Sequence, residues 1–333
     1  MNIAVLGAGA WGTAIACALS GRHAVVLHAR DPDQARAVAS TRVNQRYLPA
    51  VTLPTALTVS ADFDAAIKHA SDGLILVATP TRALREISRS LAAADFTGPV
   101  AWLCKGLEEI GHRLAHEVVA EEWPAAVDRS GPVSGPSFAL EVARGLPTAL
   151  TAAGSAGFCE VVTDALHGGA LRIYSSSDVV GVEVGGTVKN VLAIATGISD
   201  ALELGANARA ALITRGLAEM SRLGVALGAR HETFMGLTGV GDLILTATGD
   251  LSRNRQVGLA LGRGMAIEAA VAQLGHVAEG VRSAPAVLVR AQAARTQMPI
   301  IEAVVTVLAG KATPRQALDR LLARDPKRES SLE

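Results

Sequence analysis

The stretch GAGAWG, residues 7–12, follows an apolar run from Ile3 to Leu6 and precedes a stretch of helical character. This G-x-G-x-x-G spacing, set between a strand and a helix, is typical of a turn that binds a dinucleotide. Gly7 permits the tight turn, Gly9 lets the backbone approach a pyrophosphate, and Gly12 permits close helix–strand packing. The N-terminus of the helix would then face the phosphates. The alternative is a glycine-rich turn without a ligand, and the strand–helix setting favours the dinucleotide.

Apolar runs typical of buried parallel strands continue along the first half of the chain, with helical stretches between them. One helix begins at Pro32, and Asp31 is its expected N-cap. The alternation predicts an α/β domain with a doubly wound, mostly parallel sheet of the Rossmann type and helices on both faces. The predicted strands are Ile3 to Leu6, Val25 to Leu27, Leu74 to Val77, Val100 to Leu103, Ala149 to Ala152 and Leu171 to Tyr174.

The alternation stops before Asp178 to Leu204, which has the composition of one long apolar helix, weakened or bent near Gly185 and Gly186. Shorter helical stretches follow, and we expect no strand among them. The sequence therefore predicts an all-α C-terminal domain. We assign residues 1–182 to a dinucleotide-binding domain and residues 183–333 to a helical substrate and catalytic domain.

The composition excludes several classes of protein. The 333 residues carry 31 basic and 31 acidic side chains, so the formal net charge is zero, and half of the residues are hydrophobic. That hydrophobic share excludes a disordered chain. Because proteins that hold nucleic acid usually have a basic excess, we expect no nucleic-acid partner. No apolar run approaches the ~20 residues of a membrane helix, so we expect no membrane insertion.

The cysteines and histidines have no spacing typical of a metal site. Cys17, Cys104 and Cys159 are far apart and form no CxxC pair, which favours reduced thiols in a cytoplasmic protein. His112 and His116 are four residues apart but lack the glutamate of a metalloprotease motif. We therefore expect no bound metal.

The end of the second strand indicates which dinucleotide is used. An acidic residue there would bind the ribose 2′-hydroxyl of NAD, but Arg30 takes that place and Asp31 follows it. A guanidinium can accept the 2′-phosphate of NADP. The alternative is that Arg30 is an ordinary surface residue, while Asp31 contacts the ribose or caps its helix. We expect NADP (NADPH) to be favoured and NAD (NADH) to be tolerated.

Lys189 lies in a helix that is apolar on nearly every side. Lysines are almost never fully buried without a reason, and desolvation makes a lysine a usable general acid or base. The alternative is a lysine that extends along the apolar surface to reach water. The setting favours the catalytic role.

Two further segments of the sheet half suit an anionic substrate. Lys105 follows a predicted strand at its carboxyl end, where ligands bind in open α/β sheets, although a solvated loop lysine is equally compatible. The small residues of SGPSFA, residues 134–139, expose backbone N–H groups and hydroxyls, but a plain turn with Ser137 as N-cap would have the same sequence.

In the helical half, GDLSRNR, residues 249–255, opens a helix with Ser252 or Asp250 as its cap. Arg253 at the first turn opposes the helix dipole, which becomes favourable if an anion binds there. A surface arginine is the alternative. Asp242, among glycines, could accept hydrogen bonds from a substrate hydroxyl or from Lys189, or could form an ordinary Asx turn.

Taken together, these residues resemble the bacterial-type NAD(P)-dependent glycerol-3-phosphate dehydrogenase family, and the similarity runs nearly end to end. Several of the similar blocks are long and occur in order. They are residues 7–12, RVNQRYLP (42–49), CKGLE (104–108), 134–139, GVEVGGTVKN (181–190), 207–220, 248–254 and VAEGV (277–281).

The resemblance implies a Rossmann-type domain followed by a helical domain. It also implies reduction of dihydroxyacetone phosphate to sn-glycerol 3-phosphate, which supplies glycerophospholipid synthesis, and the reverse reaction. It matches Lys189 to the residue that transfers the proton. It matches substrate contacts to Lys105, Gly135, Ser137, Lys189, Asp242, Ser252, Arg253 and Asn254. It matches the cofactor surface, beyond Gly7, Gly9 and Gly12, to Ala10, Trp11, Arg30, Lys105, Ala139, Arg253, Val277 and Glu279.

Three points stay open at the level of sequence. A related two-domain NADP-dependent 2-hydroxyacid or ketopantoate-type reductase is the alternative enzyme, and a dinucleotide-binding regulator without turnover is the alternative of another class. The apolar C-terminal helices could bury the interface of a homodimer or could face their own core. His28 stands where the family often has tryptophan, and the segment 42–49 has no role that its chemistry assigns.

Overall fold

The computed structural model describes residues 1–274 and 278–324, and the chain divides into two compact units. The first unit comprises residues 1–105 and 115–179, and the second comprises residues 106–114 and the described residues from 180 onward. The segment 106–114 thus belongs to the helical unit, whose hydrophobic core includes Leu107 and Leu114. No pattern in the sequence indicates this assignment.

The first unit is built on a sheet that confirms the predicted, mostly parallel arrangement. Its strands are β1 (Asn2–Leu6), β2 (Ala24–His28), β3 (Val43–Asn44), β4 (Leu48–Thr52), β5 (Thr58–Ser60), β6 (Leu74–Val77), β7 (Val100–Trp102), β8 (Ser130–Ser134), β9 (Thr148–Ala153) and β10 (Leu171–Ser176). Eight of them form one sheet in the order β10-β9-β8-β7-β6-β1-β2-β5. Neighbouring strands are parallel except for the antiparallel pair β8–β9. Strands β3 and β4 form a separate antiparallel hairpin.

Helices pack on both faces of this sheet, as the alternating pattern predicts. They are α1 (Ala10–Leu19), α2 (Pro32–Thr41), α3 (Phe63–His69), α4 (Leu84–Ala93), α5 (Ala115–Glu122), α6 (Ala139–Ala143) and α7 (Ala156–Leu166). Successive residues of β1 belong to two different apolar layers: Ile3 and Val5 to one, Ala4 and Leu6 to the other. Because side chains alternate along a strand, a run that is apolar at every position must be covered on both faces.

The second unit consists of helices and their connections, with no strand among its described residues, which agrees with the predicted all-α domain. Its helices are α8 (Val179–Ala201), α9 (Gly205–Ala226), α10 (His231–Phe234), α11 (Asp242–Thr248), α12 (Arg253–Gly262), α13 (Ile267–Leu274), α14 (Glu279–Ala293), α15 (Pro299–Leu308) and α16 (Pro314–Leu322). They share one hydrophobic core.

Helix α8 is buried along most of its length and confirms the predicted single long helix. It continues through Gly185 and Gly186 without interruption. The reason is packing: a Cβ atom on Gly185 would lie 2.3 Å from the Thr238 carbonyl oxygen, so the glycine permits a close backbone approach rather than a break. By length and composition α8 could also cross a membrane, but 89% of its apolar window is buried inside the protein, as in the core helix of a folded domain.

Candidate active site

The glycine-rich turn lies between β1 and α1 and confirms the predicted strand–turn–helix geometry. Gly7 has a φ of +119°, and a Cβ atom on Gly12 would lie 1.9 Å from the Gly7 carbonyl oxygen, so both positions require glycine. Around Gly9, by contrast, no atom of the described residues, apart from those of its own backbone neighbourhood, lies within 4 Å of the place a Cβ would take. Gly9 is also the N-cap of α1 and offers that helix no side-chain cap. The open space beside the free N–H groups fits a pyrophosphate.

The hairpin β3–β4 supports this turn and gives a structural role to the segment 42–49. Asn44 is fully buried, and its Nδ2 donates to the Ala8 carbonyl oxygen at 3.0 Å and to Thr13 Oγ1 at 2.8 Å. Gln34 Nε2 donates to the same Ala8 oxygen at 3.0 Å. Two amides from different elements therefore fix the backbone that would carry the pyrophosphate.

Arg30 and Asp31 follow the carboxyl end of β2 and have different surroundings. Asp31 caps α2, because its Oδ1 accepts from the Asp33 N–H at 2.9 Å. Arg30 is exposed, so its guanidinium is accessible to an anion. Between β2 and the neighbouring α3, His28 packs edge-on against Phe63 with ring centroids 5.4 Å apart, and burial lowers its pKa. His28 stands where the family often has tryptophan, and its ring packs against Phe63 in that position.

Two threonine hydroxyls near the turn were missed by the sequence analysis. Strand β1 lies between β6 and β2, so the connections on its two sides run in opposite directions across the sheet. The turn after β1 lies at this switch point, where open α/β sheets bind ligands. Thr79 and Thr81 come directly after β6 there, and their Oγ1 atoms are buried without a hydrogen-bond partner among the described residues. Trp11 Nε1, on a residue already matched to the cofactor surface, is likewise buried without a hydrogen-bond partner among the described residues. Hydroxyls directly after a strand end are the signal that could have identified the threonines.

The structure brings Lys105, Gly135 and Ser137 together in the sheet unit. The Gly135 carbonyl oxygen accepts from Lys105 Nζ at 3.0 Å and from Ser137 Oγ at 2.9 Å. Gly135 has a φ of +140°, which a side chain would rarely tolerate. The N-cap of α6 is Phe138, without a side-chain cap, so the alternative interpretation of Ser137 as a cap is wrong. Ala139 is the first residue of α6.

Lys189 is buried in the helical unit and does not reach out to water. Its ammonium pairs with the Asp242 carboxylate, which is fully buried, and donates to Thr246 Oγ1 at 2.9 Å. Thr246 Oγ1 in turn donates to the Asp242 main-chain oxygen at 2.6 Å. Because a buried charge is tolerated only when it is paired, the Asp242–Thr246 pair explains how the apolar helix α8 accommodates a lysine. We call Lys189, Asp242 and Thr246 the lysine cluster.

Backbone geometry places Asp242 opposite Lys189. Residues Leu237–Gly241 form one turn of π-helix directly before α11, a feature that often occurs at functional sites. The carbonyl oxygen of Thr238 in that turn contacts α8 at Gly185, so the turn and α8 approach closely. Asp242 is the first residue of α11 and therefore projects from the point of closest approach.

Asn254 joins three helices of the helical unit. Its Nδ2 donates to Asn190 Oδ1 on α8 at 2.9 Å, and its Oδ1 accepts from the Gly280 N–H on α14 at 3.0 Å. Asn190 follows Lys189 directly, so these bonds also fix the segment that carries the lysine. Both ends of the Asn254 amide already have protein partners.

The first turn of α12 presents a cation. Ser252 is the N-cap, and its Oγ accepts from the Arg255 N–H at 3.2 Å. Arg253 is exposed by surface area, yet surrounding protein desolvates its guanidinium enough to lower its pKa, an effect that Glu279 opposes. An arginine stays charged at neutral pH under such a shift. A partly desolvated cation beside free helix N–H groups is suited to bind an anion such as a phosphate.

Arg255 anchors this turn, and the sequence analysis did not identify it. Its Nε and Nη2 donate to Asp200 Oδ2 at 2.9 and 2.8 Å, and its Nη1 donates to Asp250 Oδ1 at 2.9 Å. Helices α8 and α12 also pack closely, because a Cβ atom on Gly258 would lie 2.1 Å from the Ile194 carbonyl oxygen. Arg253 is the first residue of α12, so the bonds of Arg255 and the packing of α12 on α8 also hold the turn that carries Arg253.

A Rossmann-type sheet with a dinucleotide turn, together with a helical unit that buries a paired lysine, defines the class of two-domain nicotinamide-dependent dehydrogenases. Within that class the chain belongs to the NAD-dependent glycerol-3-phosphate dehydrogenase family. The sequence model of the family's N-terminal part matches residues 2–157, and the model of its C-terminal part matches residues 178–319. The resemblance seen in the sequence is thereby confirmed, and so is the fold class.

Relatives and solved structures agree with this assignment. The glycerol-3-phosphate dehydrogenase [NAD(P)+] of Methylibium petroleiphilum is 58% identical, over 99% of this chain and 98% of the relative. That of Paucimonas lemoignei is 55% identical, over 99% of both chains. The crystal structure of glycerol-3-phosphate dehydrogenase from Coxiella burnetii is 42% identical, with a TM-score of 0.90 over 97% of this chain and 98% of that one.

The alternative enzyme class has only a distant likeness. A putative 2-dehydropantoate 2-reductase from Enterococcus faecalis is 17% identical, with a TM-score of 0.52 over 95% of this chain and 99% of that one, which indicates a shared fold alone.

Val277, a predicted cofactor contact, lies outside the described residues.

Proposed function

We propose that the chain catalyses the reversible reduction of dihydroxyacetone phosphate to sn-glycerol 3-phosphate with NADPH or NADH. The observation that carries this proposal is the buried lysine cluster in a chain that is 58% identical to a glycerol-3-phosphate dehydrogenase [NAD(P)+] over nearly its full length. We further propose that residues 1–182 bind the cofactor and that residues 183–333 supply the catalytic lysine. We also propose that the protein is cytoplasmic and that its product, sn-glycerol 3-phosphate, supplies glycerophospholipid synthesis.

Lys189 is the proposed proton donor. The bound cofactor supplies the hydride that the C2 carbonyl carbon of the substrate accepts. As the carbonyl oxygen becomes an alkoxide, the Lys189 ammonium stabilises the negative charge and then transfers a proton to it. Asp242 and Thr246 hold the ammonium in one orientation, so little reorganisation accompanies the transfer. In the reverse reaction neutral Lys189 accepts the hydroxyl proton.

The substrate phosphate requires a separate group of donors. We assign it to Arg253 and the N-terminus of α12, where Ser252 caps the helix and the guanidinium is partly desolvated. Asn254 acts there through its bonds to Asn190 and Gly280, which fix the helix end. The remaining substrate contacts are assigned to Lys105, Gly135, Ser137 and Asp242.

The cofactor is assigned to the open glycine turn. Gly9, with the N–H groups of Ala10 and Trp11, binds the pyrophosphate, while Gly7 and Gly12 give the backbone its shape. Exposed Arg30 binds the 2′-phosphate of NADPH, which supports a preference for this cofactor. Further contacts are assigned to Lys105, Ala139, Arg253, Val277 and Glu279.

An oxidation assay of the purified chain tests the proposal. Loss of NADPH absorbance should follow addition of dihydroxyacetone phosphate, whereas 2-dehydropantoate and 2-oxoacids should produce no comparable rate. A Lys189→Met variant should bind NADPH with unchanged affinity but turn over far more slowly. Faster turnover with a keto acid than with the phosphate ketone would support the alternative reductase instead. Binding of NADPH without turnover of any of these substrates would support the regulator.

A further inference from the structure

The helical unit contains a cavity of about 560 Å³ that none of the functional assignments above uses. Its walls come from the C-terminal half of α8 and from α9, α15 and α16. None of the residues of the lysine cluster lines it. The volume lies within the range of ~300–1,000 Å³ that is typical of sites for small organic ligands.

Most of the residues that line this cavity are apolar. Ile198 and Leu202 on α8, Leu212 on α9 and Val304 on α15 line the space. Ser199 is also a lining residue, but its Oγ is buried in the protein and not exposed to the cavity. The cavity wall contacted by a ligand on this side is therefore apolar.

Three arginines are among the residues that line the same cavity, namely Arg215, Arg222 and Arg324. They are close enough to interact, because Arg215 and Arg324 both lower the pKa of Arg222, beyond the larger effect of burial. Among the described lining residues Glu219 is the single carboxyl group, and its oxygens accept from the backbone N–H groups of Ile300 and Ile301 at 2.8 and 3.3 Å. Burial raises the pKa of Glu219 to about 7, so it neutralises the arginines only partly at neutral pH.

We propose that this cavity binds a single-chain carboxylate amphiphile, a fatty acid, with its alkyl chain against α8 and α15 and its carboxylate at the three arginines. The apolar wall favours an alkyl chain through burial of its surface, and the three arginines, only partly compensated by Glu219, favour an anionic head group. A second copy of the chain fits less well. A two-fold symmetric contact centred on this face would place the three arginines of one copy opposite those of the other, and like charges repel.

Calorimetric titration of the full chain with decanoate, below the concentration at which it forms micelles, tests the proposal. We expect one decanoate per chain, and binding of 1-decanol at least about fivefold weaker, because the neutral head group gains no ion pair. Saturation with NADPH and sn-glycerol 3-phosphate, which cannot react with each other, should not displace the decanoate. Equal affinity for decanoate and decanol, or no binding of decanoate to the full chain, would overturn the proposal.

Four variants locate the site. Arg215→Gln, at an exposed position, should weaken decanoate binding about fivefold without changing the melting temperature. Arg320→Gln, on α16 but outside the cavity lining, is its matched control and should leave binding unchanged. Ala303→Trp fills the cavity and should abolish binding. If this variant unfolds, Ala211→Trp blocks the same cavity from an exposed position on α9. Unchanged binding in a folded tryptophan variant would contradict the assignment.

Two other occupants have distinct outcomes. Binding of decanoate to a chain truncated after Arg324, but not to the full chain, would show that the C-terminal residues occupy the cavity. Dissociation of an oligomer on addition of decanoate, measured by light scattering, would assign the face to a second copy. Either result would overturn the proposal.

Discussion

Lys189 on α8 and Asp242 at the start of α11 form an ion pair that is buried in the core of the helical unit, although 53 residues separate them in sequence. Removing two charges from water is costly, and Thr246 offsets part of that cost, because its Oγ1 accepts from the ammonium and donates its own proton to the Asp242 main-chain oxygen. The pair thus stabilises a reactive ammonium in a place where a lone lysine would lose its charge.

Replacement of Lys189 by methionine keeps the side-chain length and removes the ammonium. We expect kcat to fall by about 10²–10⁴-fold, the usual contribution of a positioned proton donor, while the Kd for NADPH stays unchanged. Steady-state kinetics and fluorescence titration of NADPH measure the two quantities. A kcat within tenfold of the wild-type value would exclude Lys189 as the proton donor.

Asp242 should be needed for stability only while Lys189 is present. Asp242→Asn leaves a buried ammonium without its carboxylate and should cost about 3–5 kcal/mol in the free energy of unfolding. The double variant Lys189→Met with Asp242→Asn should recover much of that loss, because no buried charge remains. Denaturant unfolding of the four proteins completes the cycle. Additive losses would show that the two residues do not interact.

The parts of the site that the sequence predicts are those set by local geometry. The turn of residues 7–12 and the Asp31 cap each need only neighbouring residues, so their patterns are sufficient. Lys189 is detectable because a single charge in an otherwise apolar helix is rare.

Contacts between distant residues could not be predicted in this way. Asn44 holds the Ala8 carbonyl from 36 residues away, and Arg255 bonds Asp200 across 55 residues. Both depend on how elements pack, which no local pattern specifies. Likewise, Gly185 and Gly186 suggested a weak point in α8, whereas Gly185 serves a close contact with the Thr238 carbonyl oxygen.

Gly9 and Gly12 should respond differently to substitution by alanine. In Gly12→Ala the new Cβ would meet the Gly7 carbonyl oxygen at 1.9 Å, so the free energy of unfolding should fall by about 1–3 kcal/mol. In Gly9→Ala the methyl group enters open space, and the fold should keep its stability. The Kd for NADPH should nevertheless rise, because the methyl group occupies the place of the pyrophosphate. Unchanged affinity in Gly9→Ala would move the pyrophosphate elsewhere.

Arg30 should determine the preference for NADPH. Arg30→Ser removes the guanidinium proposed to bind the 2′-phosphate, and a hydrogen bond to a charged group contributes about 1.5–3 kcal/mol. We therefore expect kcat/KM for NADPH to fall by about 10–100-fold, with kcat/KM for NADH nearly constant. Arg36→Ser, at an exposed position on α2, is the matched control. An equal loss with both cofactors would contradict the assignment.

Glu219 should make stability depend on pH in the range where most carboxyl groups are already ionised. Burial raises its pKa from 4.5 to about 7, against the opposing bonds from Ile300 and Ile301. Between these two values the folded chain binds a proton that the unfolded chain has lost, so the contribution of Glu219 to stability decreases as pH rises. The full difference corresponds to roughly 3 kcal/mol, since one pKa unit equals about 1.4 kcal/mol.

The variant Glu219→Gln isolates this effect, because its amide oxygen can still accept the Ile300 N–H but does not titrate. The free energy of unfolding, measured by denaturant between pH 4.5 and pH 8, should fall more steeply with pH in the wild type than in the variant. The two curves should become parallel above the folded-state pKa of about 7. Parallel curves across the whole range would mean that Glu219 ionises as readily in the folded protein as in the unfolded chain.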